Sequence, residues 1–141
     1  MKTGNGMGEV QIKVRLTNLF DEERAAAGEI KRSRIRSFIA KAVVDTGATR
    51  SALPPKMVKK LGLTPRRQQA IELANGRKET VGLANGIMFR ILGRDAEEDV
   101  FVVGNEVLIG QTVLEKMDLL VDCKRRRLVP AHPDQALNKL K

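Results

Sequence analysis

Short apolar runs, separated by turn-forming residues about every ten positions, constrain the fold of this chain more than any other sequence feature. The apolar residues Val10, Ile12, Val14 and Leu16 alternate with polar ones, which is the period of a strand with one buried face. Glycine, proline and asparagine interrupt the later runs before any of them reaches the length of a long helix. The pattern predicts an all-β barrel or sandwich of short strands with one or two short helices, and parallel βαβ units do not fit it.

Size and composition narrow the class of protein further. A length of 141 residues, of which 42% are hydrophobic, suits one domain with a packed core. We expect residues 1–8 to form a flexible N-terminus and residues 131–141 a polar C-terminal tail. No apolar run approaches the roughly 20 residues that a membrane helix needs, and residues 1–8 lack the apolar segment of a signal peptide. With a single cysteine and no Cys/His cluster, the sequence predicts a cytoplasmic protein without a disulfide framework, a metal or another cofactor.

The net charge of +9 raises the question of an acidic partner such as nucleic acid. Aromatic residues make up only 3% of the chain, and all of them are Phe, so the stacking platforms of single-strand binders are scarce. The basic residues are dispersed except at 124–127, which we expect to form a solvated hairpin turn. We expect the acidic run 97–99 to be a solvated turn as well. The composition therefore disfavours nucleic acid as the partner.

Several segments have recognisable boundaries. A second extended run, 35–44, ends abruptly at Asp45, and Pro54-Pro55 opens a short helix. Asn75-Gly76 predicts a hairpin with a type I′ turn, which needs positive φ at both central positions. The remaining predicted elements are a loop or single helical turn at 18–28, strands at 87–92, 100–103 and 119–122, and a short helix at 112–117.

Asp45 stands at the end of an apolar strand, where a charge is costly unless it is paired or needed for function. A small hydroxyl residue, Thr46, and then Gly47 follow it directly. Asp45 could also have a purely structural role, because an Asp can cap a turn that Thr and Gly complete. Taken by itself, the motif leaves both interpretations open.

The order of these segments resembles that of retropepsin-like aspartic proteases, the single-lobe, viral-type branch of the aspartic protease clan, and more specifically its bacterial and archaeal members. The resemblance covers Glu9 to Pro130, which we take as the protease domain. It rests on the following residues: Asp45-Thr46-Gly47-Ala48 after a strand, Leu53-Pro54, the hairpin Ala74-Asn75-Gly76-Arg77, Leu108-Ile109-Gly110-Gln111 before a helix with Leu114, and His132-Pro133 in the tail. It implies an all-β closed barrel with a flap hairpin that acts as a two-fold homodimer.

The chemistry of such proteases needs two carboxylates that share one proton, because like charges about 3 Å apart cannot both ionise. Asp45 is the only Asp in this sequence that Thr-Gly or Ser-Gly follows. The resemblance therefore implies that a second copy of the chain supplies the second carboxylate. It predicts an aspartic endopeptidase in which the Asp45 pair activates a water that attacks the peptide carbonyl.

The same resemblance assigns roles to the remaining site residues. Asp45, Thr46 and Gly47 would be catalytic, with Thr46 bonded across the dyad and the Gly47 backbone donating to the carboxylate. Ala48 would keep the floor of the substrate cleft small. The flap tip would contact substrate through Ala74, Asn75, Gly76 and Arg77. Leu108, Ile109 and Gly110 would support the catalytic loop from behind.

Two alternatives to an active endopeptidase remain at this point. One is a catalytically silent protease fold that serves as a dimerisation or peptide-binding module. The intact Asp45-Thr46-Gly47 disfavours this alternative, because a binding module has no need of a like-charge pair. The other is a basic partner of nucleic acid, which a steep salt dependence of binding would reveal.

Overall fold

The computed structural model describes residues 9–132. The predicted N-terminus 1–8 and residues 133–141 of the predicted tail lie outside the described residues. The strands in this range are β1 (Val10–Asn18), β2 (Ser37–Val44), β3 (Ala52–Leu53), β4 (Arg67–Glu72), β5 (Lys78–Ile91), β6 (Arg94–Val102), β7 (Val107–Ile109), β8 (Leu119–Asp122) and β9 (Arg127–Pro130). The helices are α1 (Leu19–Ala26), α2 (Pro55–Lys60) and α3 (Gln111–Met117), with a single 3₁₀ turn at Arg32–Arg34.

The main sheet closes on itself as a barrel. Its hydrogen-bonded order is β1-β2-β7-β3-β6-β5, and β5 returns to pair with β1. Strand β4 pairs only with β5 in this sheet and extends from the barrel as one arm of a hairpin. Strands β8 and β9 form a separate antiparallel pair. The predicted all-β closed barrel is confirmed, whereas residues 9–132 contain three short helices instead of the one or two that the sequence predicts.

Alternation along β1 shows how the sequence builds this barrel. Val10, Val14 and Leu16 are buried, whereas Lys13 and Arg15 between them are exposed. Strand β1 runs antiparallel to β2 from one end to the other and meets β5 from Arg15 onward. Apolar side chains from every barrel strand and from α2 and α3 meet inside. Burial of this apolar surface is the main favourable term in folding.

Helix α1 is longer than the loop or single turn that the sequence predicts for this segment. The side chain of Asn18 caps it by accepting a hydrogen bond from the Asp21 backbone N–H at 3.0 Å. Asp21 is itself buried and binds the Arg36 guanidinium through both carboxylate oxygens, at 2.9 and 3.0 Å. A polar, Ala-rich stretch without an apolar stripe therefore becomes a helix because tertiary contacts hold its first turn.

The turn at Asn75-Gly76 differs from the predicted type I′ turn. Gly76 has a φ of +84°, but Asn75 does not have positive φ. The Gly76 N–H donates to the Leu73 carbonyl, and the Leu73 N–H donates to the Arg77 carbonyl. This is a three-residue loop of a type I turn followed by a left-handed glycine. The Asn75 side chain accepts from the Arg77 N–H at 2.9 Å, which stabilises the loop.

Positive φ at both central turn residues occurs instead at Leu92 and Gly93, between β5 and β6. Their φ angles are 53° and 77°, as a two-residue type I′ hairpin requires. The other Asn-Gly pair contributes Gly86 to a bulge inside the continuous strand β5. Gly86 has a φ of +86°, and an added Cβ would lie 2.4 Å from the Phe20 ring. The Asn-Gly signal marks positive φ at its glycine in both places, but not the predicted turn type.

The acidic run 97–99 is not the solvated turn that the sequence predicts, because it lies within β6. Glu98 is buried there between the inward positions of Ala96 and Val100. The prediction for the basic run agrees better with the structure, since 123–126 is the turn between β8 and β9. Within residues 9–132, none of the helices combines the length and apolar character needed to cross a membrane.

Candidate active site

The candidate site is the loop that leaves the barrel after β2, residues 45–51. Asp45 is half-buried in the protomer, and not buried as the sequence suggests, whereas Thr46 and Gly47 are exposed. The Gly47 N–H donates to Asp45 Oδ1 at 3.0 Å, and the Ala48 N–H donates to the Asp45 carbonyl at 3.1 Å. The loop thus holds its carboxylate at the surface with one backbone donor directed at it.

Strand β7 and helix α3 support this loop from behind. The Asp45 N–H donates to the Ile109 carbonyl at 2.9 Å, which continues the parallel pairing of β2 with β7. The Gln111 N–H donates to the Ala48 carbonyl at 2.8 Å. Ile109 is fully buried and Leu108 is half-buried. Leu108, Ile109 and Gly110 therefore lie beside the loop, and the supporting role that the resemblance gives them stays a prediction.

Gly110 shows how closely the two segments approach each other. A Cβ at this position would lie 2.7 Å from the Arg50 carbonyl carbon and 3.0 Å from the Ala48 oxygen. Both atoms belong to the backbone, so no flexible side chain can move aside. Gly110 has a φ of −90°, which any residue adopts, so the need for glycine here is one of space.

Three further residues hold the loop, and the sequence interpretation did not include them. Ser51 is fully buried; its hydroxyl accepts from the Gly110 N–H at 2.8 Å, and its own N–H donates to Glu98 Oε2 at 3.2 Å. The Thr112 hydroxyl hydrogen-bonds to Glu98 Oε1 and to the Thr49 carbonyl. Extending the alternation of β6 backward from Val100 would have placed Glu98 on the inner face. No comparable sequence signal marks Ser51 or Thr112.

The predicted substrate-binding residues of the hairpin form a separate group. Ala74, Asn75, Gly76 and Arg77 are exposed at the tip of the β4–β5 hairpin. Ala48, the other predicted substrate-binding residue, is half-buried within the loop that carries Asp45. In the part of the chain that the structure describes, no hydrogen bond joins the hairpin tip to residues 45–48. The protomer therefore brings the loop and its supports together, and it leaves the hairpin tip free of them.

A cavity of about 420 Å³ lies beside the second half of the loop. Asp45 is not among its lining residues, which are Thr49, Arg50, Gly86, Glu97, Glu98, Asp99, Thr112 and Lys116. The Arg50 side chain donates to the Asp99 carbonyl at 3.1 Å and lies over the Phe101 ring. Among residues 9–132, no group of three or more His, Cys, Asp and Glu side chains is arranged to hold a metal ion.

A comparison with family models agrees with this arrangement of strand, loop, hairpin and supporting helix. The family described as "gag-polyprotein putative aspartyl protease" matches residues 32–116, which is more than half of the chain. The chain belongs to this family. The match includes the Asp45 loop, the whole β4–β5 hairpin, strand β7 and most of α3. The retropepsin-like resemblance drawn from the sequence is confirmed at the level of the family.

Among solved structures, this chain is similar to the one titled "Structure of the foamy viral protease-reverse transcriptase in complex with RNA/DNA hybrid". The two share 19% sequence identity with a TM-score of 0.49, over 75% of this chain and 11% of that chain. This chain therefore spans about a tenth of the length of that viral chain. A search among curated proteins finds no match.

Proposed function

We propose that this chain is an aspartic endopeptidase that works as a homodimer with one Asp45 from each copy. The observation that supports this most directly is the Asp45 carboxylate itself, which is held by the Gly47 N–H at the open end of a rigidly supported loop. Its partner within the described residues is only this backbone donor, without a cation to neutralise it. A carboxylate in this position is available to a second carboxylate and a water.

The proposed chemistry follows from two carboxylates with one proton between them. The ionised member takes a proton from a bound water, and the water oxygen attacks the carbonyl carbon of the peptide. The protonated member donates its proton to the carbonyl oxygen, and a carboxyl proton later passes to the leaving amine. The titration belongs to the pair, and we expect activity to be greatest at roughly pH 4 to 6, where one proton resides on it.

The neighbouring residues have distinct roles in this proposal. Thr46 is exposed and, among residues 9–132, its side chain has no hydrogen bond, so it is available to the partner loop. Ala48 leaves room on the cleft floor. The exposed tip 74–77 closes over an extended peptide and excludes water. We further propose that the protein is of the prokaryotic type and acts in the cytoplasm.

The dimer surface that the structure favours is the β8–β9 hairpin. Within the described residues these strands pair only with each other, so their outer edges are open to another chain. Leu120 on β8 is 56% exposed and lies opposite Val129 on β9, on the face that points away from the core. Strand β1 is less suited to a dimer sheet, because it is already paired with β2 along its length and with β5 at its end.

The same fold would also suit a silent peptide-binding module. An exposed β4–β5 hairpin and a surface for a second copy serve such a module equally well. The loop geometry favours the enzyme, because a binding module gains nothing from bringing two carboxylates together. A binding module would retain its function when Asp45 is replaced.

The test of the proposal is mass spectrometry of a diverse peptide pool incubated with the protein across a range of pH. We expect wild-type protein to cleave peptides and Asp45→Asn to leave them intact. Asp95→Asn is the matched control, because Asp95 is exposed on β6 away from the loop. Cleavage by a clean Asp45→Asn preparation would contradict the mechanism.

Sedimentation of two surface variants tests the dimer. Leu120→Lys places a charge in the proposed interface, and we expect it to shift the protein to monomer and to reduce cleavage with it. Leu92→Lys is the matched control, because Leu92 is 64% exposed at the β5–β6 turn, outside that surface. A wild-type protein that sediments as a monomer under all conditions would argue against the proposal.

A further inference from the structure

The buried Glu98 carboxylate joins three elements that meet behind the candidate catalytic loop. Its side chain is only 4% exposed, although most Glu residues lie at the surface. Oε2 accepts the Ser51 N–H at 3.2 Å, at the end of the loop. Oε1 contacts the Thr112 hydroxyl at the start of α3. One side chain of β6 thus fixes both the loop and the helix that supports it.

The contacts around Glu98 continue into the second half of the loop that carries Asp45. Ser51, which Glu98 holds through its N–H, accepts the Gly110 N–H. Thr112 contacts the Thr49 carbonyl through its own N–H at 3.0 Å and its hydroxyl at 2.9 Å. Residues 49–51, the second half of the loop that carries Asp45, are therefore fixed relative to Gly110 and α3. We expect the carboxylate position to depend on them, because Asp45 lies at the other end of the same short loop.

The count of hydrogens at Thr112 indicates that a glutamine could replace Glu98 without loss of either contact. The Thr112 hydroxyl has one hydrogen, and two acceptors lie within reach, the Thr49 carbonyl and Glu98 Oε1. A donor at the position of Oε1 would leave the Thr112 hydrogen entirely to Thr49. A glutamine at position 98 provides such a donor in its amide nitrogen, while its oxygen still accepts from Ser51.

We propose that Glu98 is a positioning residue for peptide hydrolysis, acting through Ser51 and Thr112 on the loop that carries Asp45. The inference rests on the proposed protease function. Lys116 is the cation that faces Glu98, at 3.6 Å from Oε1, but its side chain is half-exposed and donates to the Glu97 carbonyl. The hydrogen bonds of Glu98, and not its ion pair with Lys116, hold the loop.

The test compares the kinetics of Glu98→Gln and Glu98→Ala. We expect Glu98→Ala to lower kcat by about tenfold or more with KM changed less than about threefold, because the loop is displaced while the flap and cleft are retained. We expect Glu98→Gln to restore kcat to within about threefold of wild type, since it can make the same contacts. An inactive Glu98→Gln, or a fully active Glu98→Ala, would overturn the inference.

A second pair of variants addresses the possibility that Glu98→Ala fails to fold. Thr112 is only half-buried, and Thr112→Val removes its hydroxyl at nearly constant volume. We expect Thr112→Val to lower kcat and Thr112→Ser, which retains the hydroxyl, to restore it. Equal kcat values for these two variants would contradict the role given to the Thr112–Glu98 contact.

Amide hydrogen exchange separates this inference from the proposed function. We expect the Ser51 and Gly110 amides to exchange faster in Glu98→Ala than in wild type or Glu98→Gln, whether or not the protein cleaves peptides. Unchanged exchange at these amides would overturn the positioning role. A wild-type protein that cleaves nothing, with the exchange pattern as expected, would instead contradict the protease proposal alone.

Discussion

Asp21 and Asp45 are two aspartates of one barrel with opposite surroundings. Asp21 is 2% exposed, and the Arg36 guanidinium and backbone N–H satisfy both of its oxygens. Asp45 is half-buried and has a single backbone donor. The first carboxylate is complete within one chain, whereas the second is left with unfilled acceptor sites. A carboxylate that the fold supports but does not neutralise is suited to chemistry, and a neutralised one is suited to stability.

The ion pair with Arg36 also changes the pKa of Asp21. The hydrogen bond from the Arg36 guanidinium is the main cause that lowers the pKa of Asp21, and its effect exceeds that of burial, which would raise it. The same contact raises the pKa of Arg36. The negative charge of Asp21 is therefore part of the folded state and stabilises it.

The largest effect should come from Asp45→Asn. We expect cleavage to fall by about 1000-fold or more, because an amide cannot act as the acid or base of the pair. We expect the free energy of unfolding to stay within about 0.5 kcal/mol of wild type or to rise slightly, since the variant would remove the repulsion between the two carboxylates of the proposed dimer. Peptide cleavage and urea denaturation measure the two quantities. A strongly destabilised Asp45→Asn would show that Asp45 resembles Asp21 after all.

Asp21→Asn should give the reverse result. We expect it to lower the free energy of unfolding by about 2 kcal/mol, since it breaks a charge-assisted pair with a buried member. The estimate is modest because the Arg36 side chain is 47% exposed and can turn to water. Catalysis by the folded fraction should be retained. Urea denaturation at neutral pH measures the change, and a stability equal to that of wild type would contradict the structural role.

Gly110→Ala tests the support behind Asp45. The added methyl group would press on the backbone of the loop, and we expect the unfolding free energy to fall by about 2 kcal/mol together with a loss of activity. Gly104→Ala is the control, because a Cβ there meets nothing within 4 Å and only its positive φ is strained. We expect Gly104→Ala to lower the free energy of unfolding by about 1 kcal/mol without loss of activity. Thermal denaturation and cleavage assays on both variants would show whether the support is needed.

Thr46→Ala tests whether the exposed hydroxyl has a partner in the second copy. We expect dimerisation to weaken and cleavage to fall by about tenfold, as expected for hydrogen bonds lost on both sides of the dyad. The stability of the monomer should not change, because Thr46 is exposed in the protomer. Sedimentation at several protein concentrations and turnover measurements provide the readout. Unchanged sedimentation and turnover would show that Thr46 has no role in the proposed site.

The smallest effect should be the dependence of stability on acid. Because the folded pKa of Asp21 is lower than its ordinary value of 3.8, its contribution is present above that pH and is lost as the pH falls below it. We expect Asp21→Asn to show a weaker loss of stability in this range than wild type. Asp122, whose pKa is lowered by the Arg125 backbone N–H and side chain, contributes in the same window. Asp122→Asn should therefore weaken this loss as well, and equal acid profiles for wild type and Asp21→Asn would contradict the role given to Asp21.

The sequence was sufficient to predict the parts of the fold that depend on local pattern. The alternation of apolar and polar residues predicted β1, and the proline pair predicted the start of α2. The order of Asp45-Thr46-Gly47, the hairpin and Leu108–Gly110 along the chain was enough to indicate the family. These predictions succeed because a few neighbouring residues are enough to set the period of a strand, the geometry of a proline and the close approach of two backbones.

The sequence predictions are wrong where residues distant in sequence determine the local structure. The acidic run 97–99 has the composition of a solvated turn, yet pairing with β5 continues β6 through it and directs Glu98 inward. Segment 19–26 becomes helix α1 because Arg36, distant in sequence, binds the first turn through Asp21. Asn75 avoids positive φ because its side chain bonds to the Arg77 N–H in a longer loop.

The sequence by itself determined the residue types available for chemistry, an aspartate with Thr and Gly after it at the end of an apolar strand. Only the tertiary structure decided which polar residues support that aspartate, since Ser51, Glu98 and Thr112 come from three separate elements. Local propensity acts over a few residues along the chain. A buried carboxylate must instead find its hydrogen-bond partners wherever the closed barrel brings donors to it, and sequence spacing does not specify that.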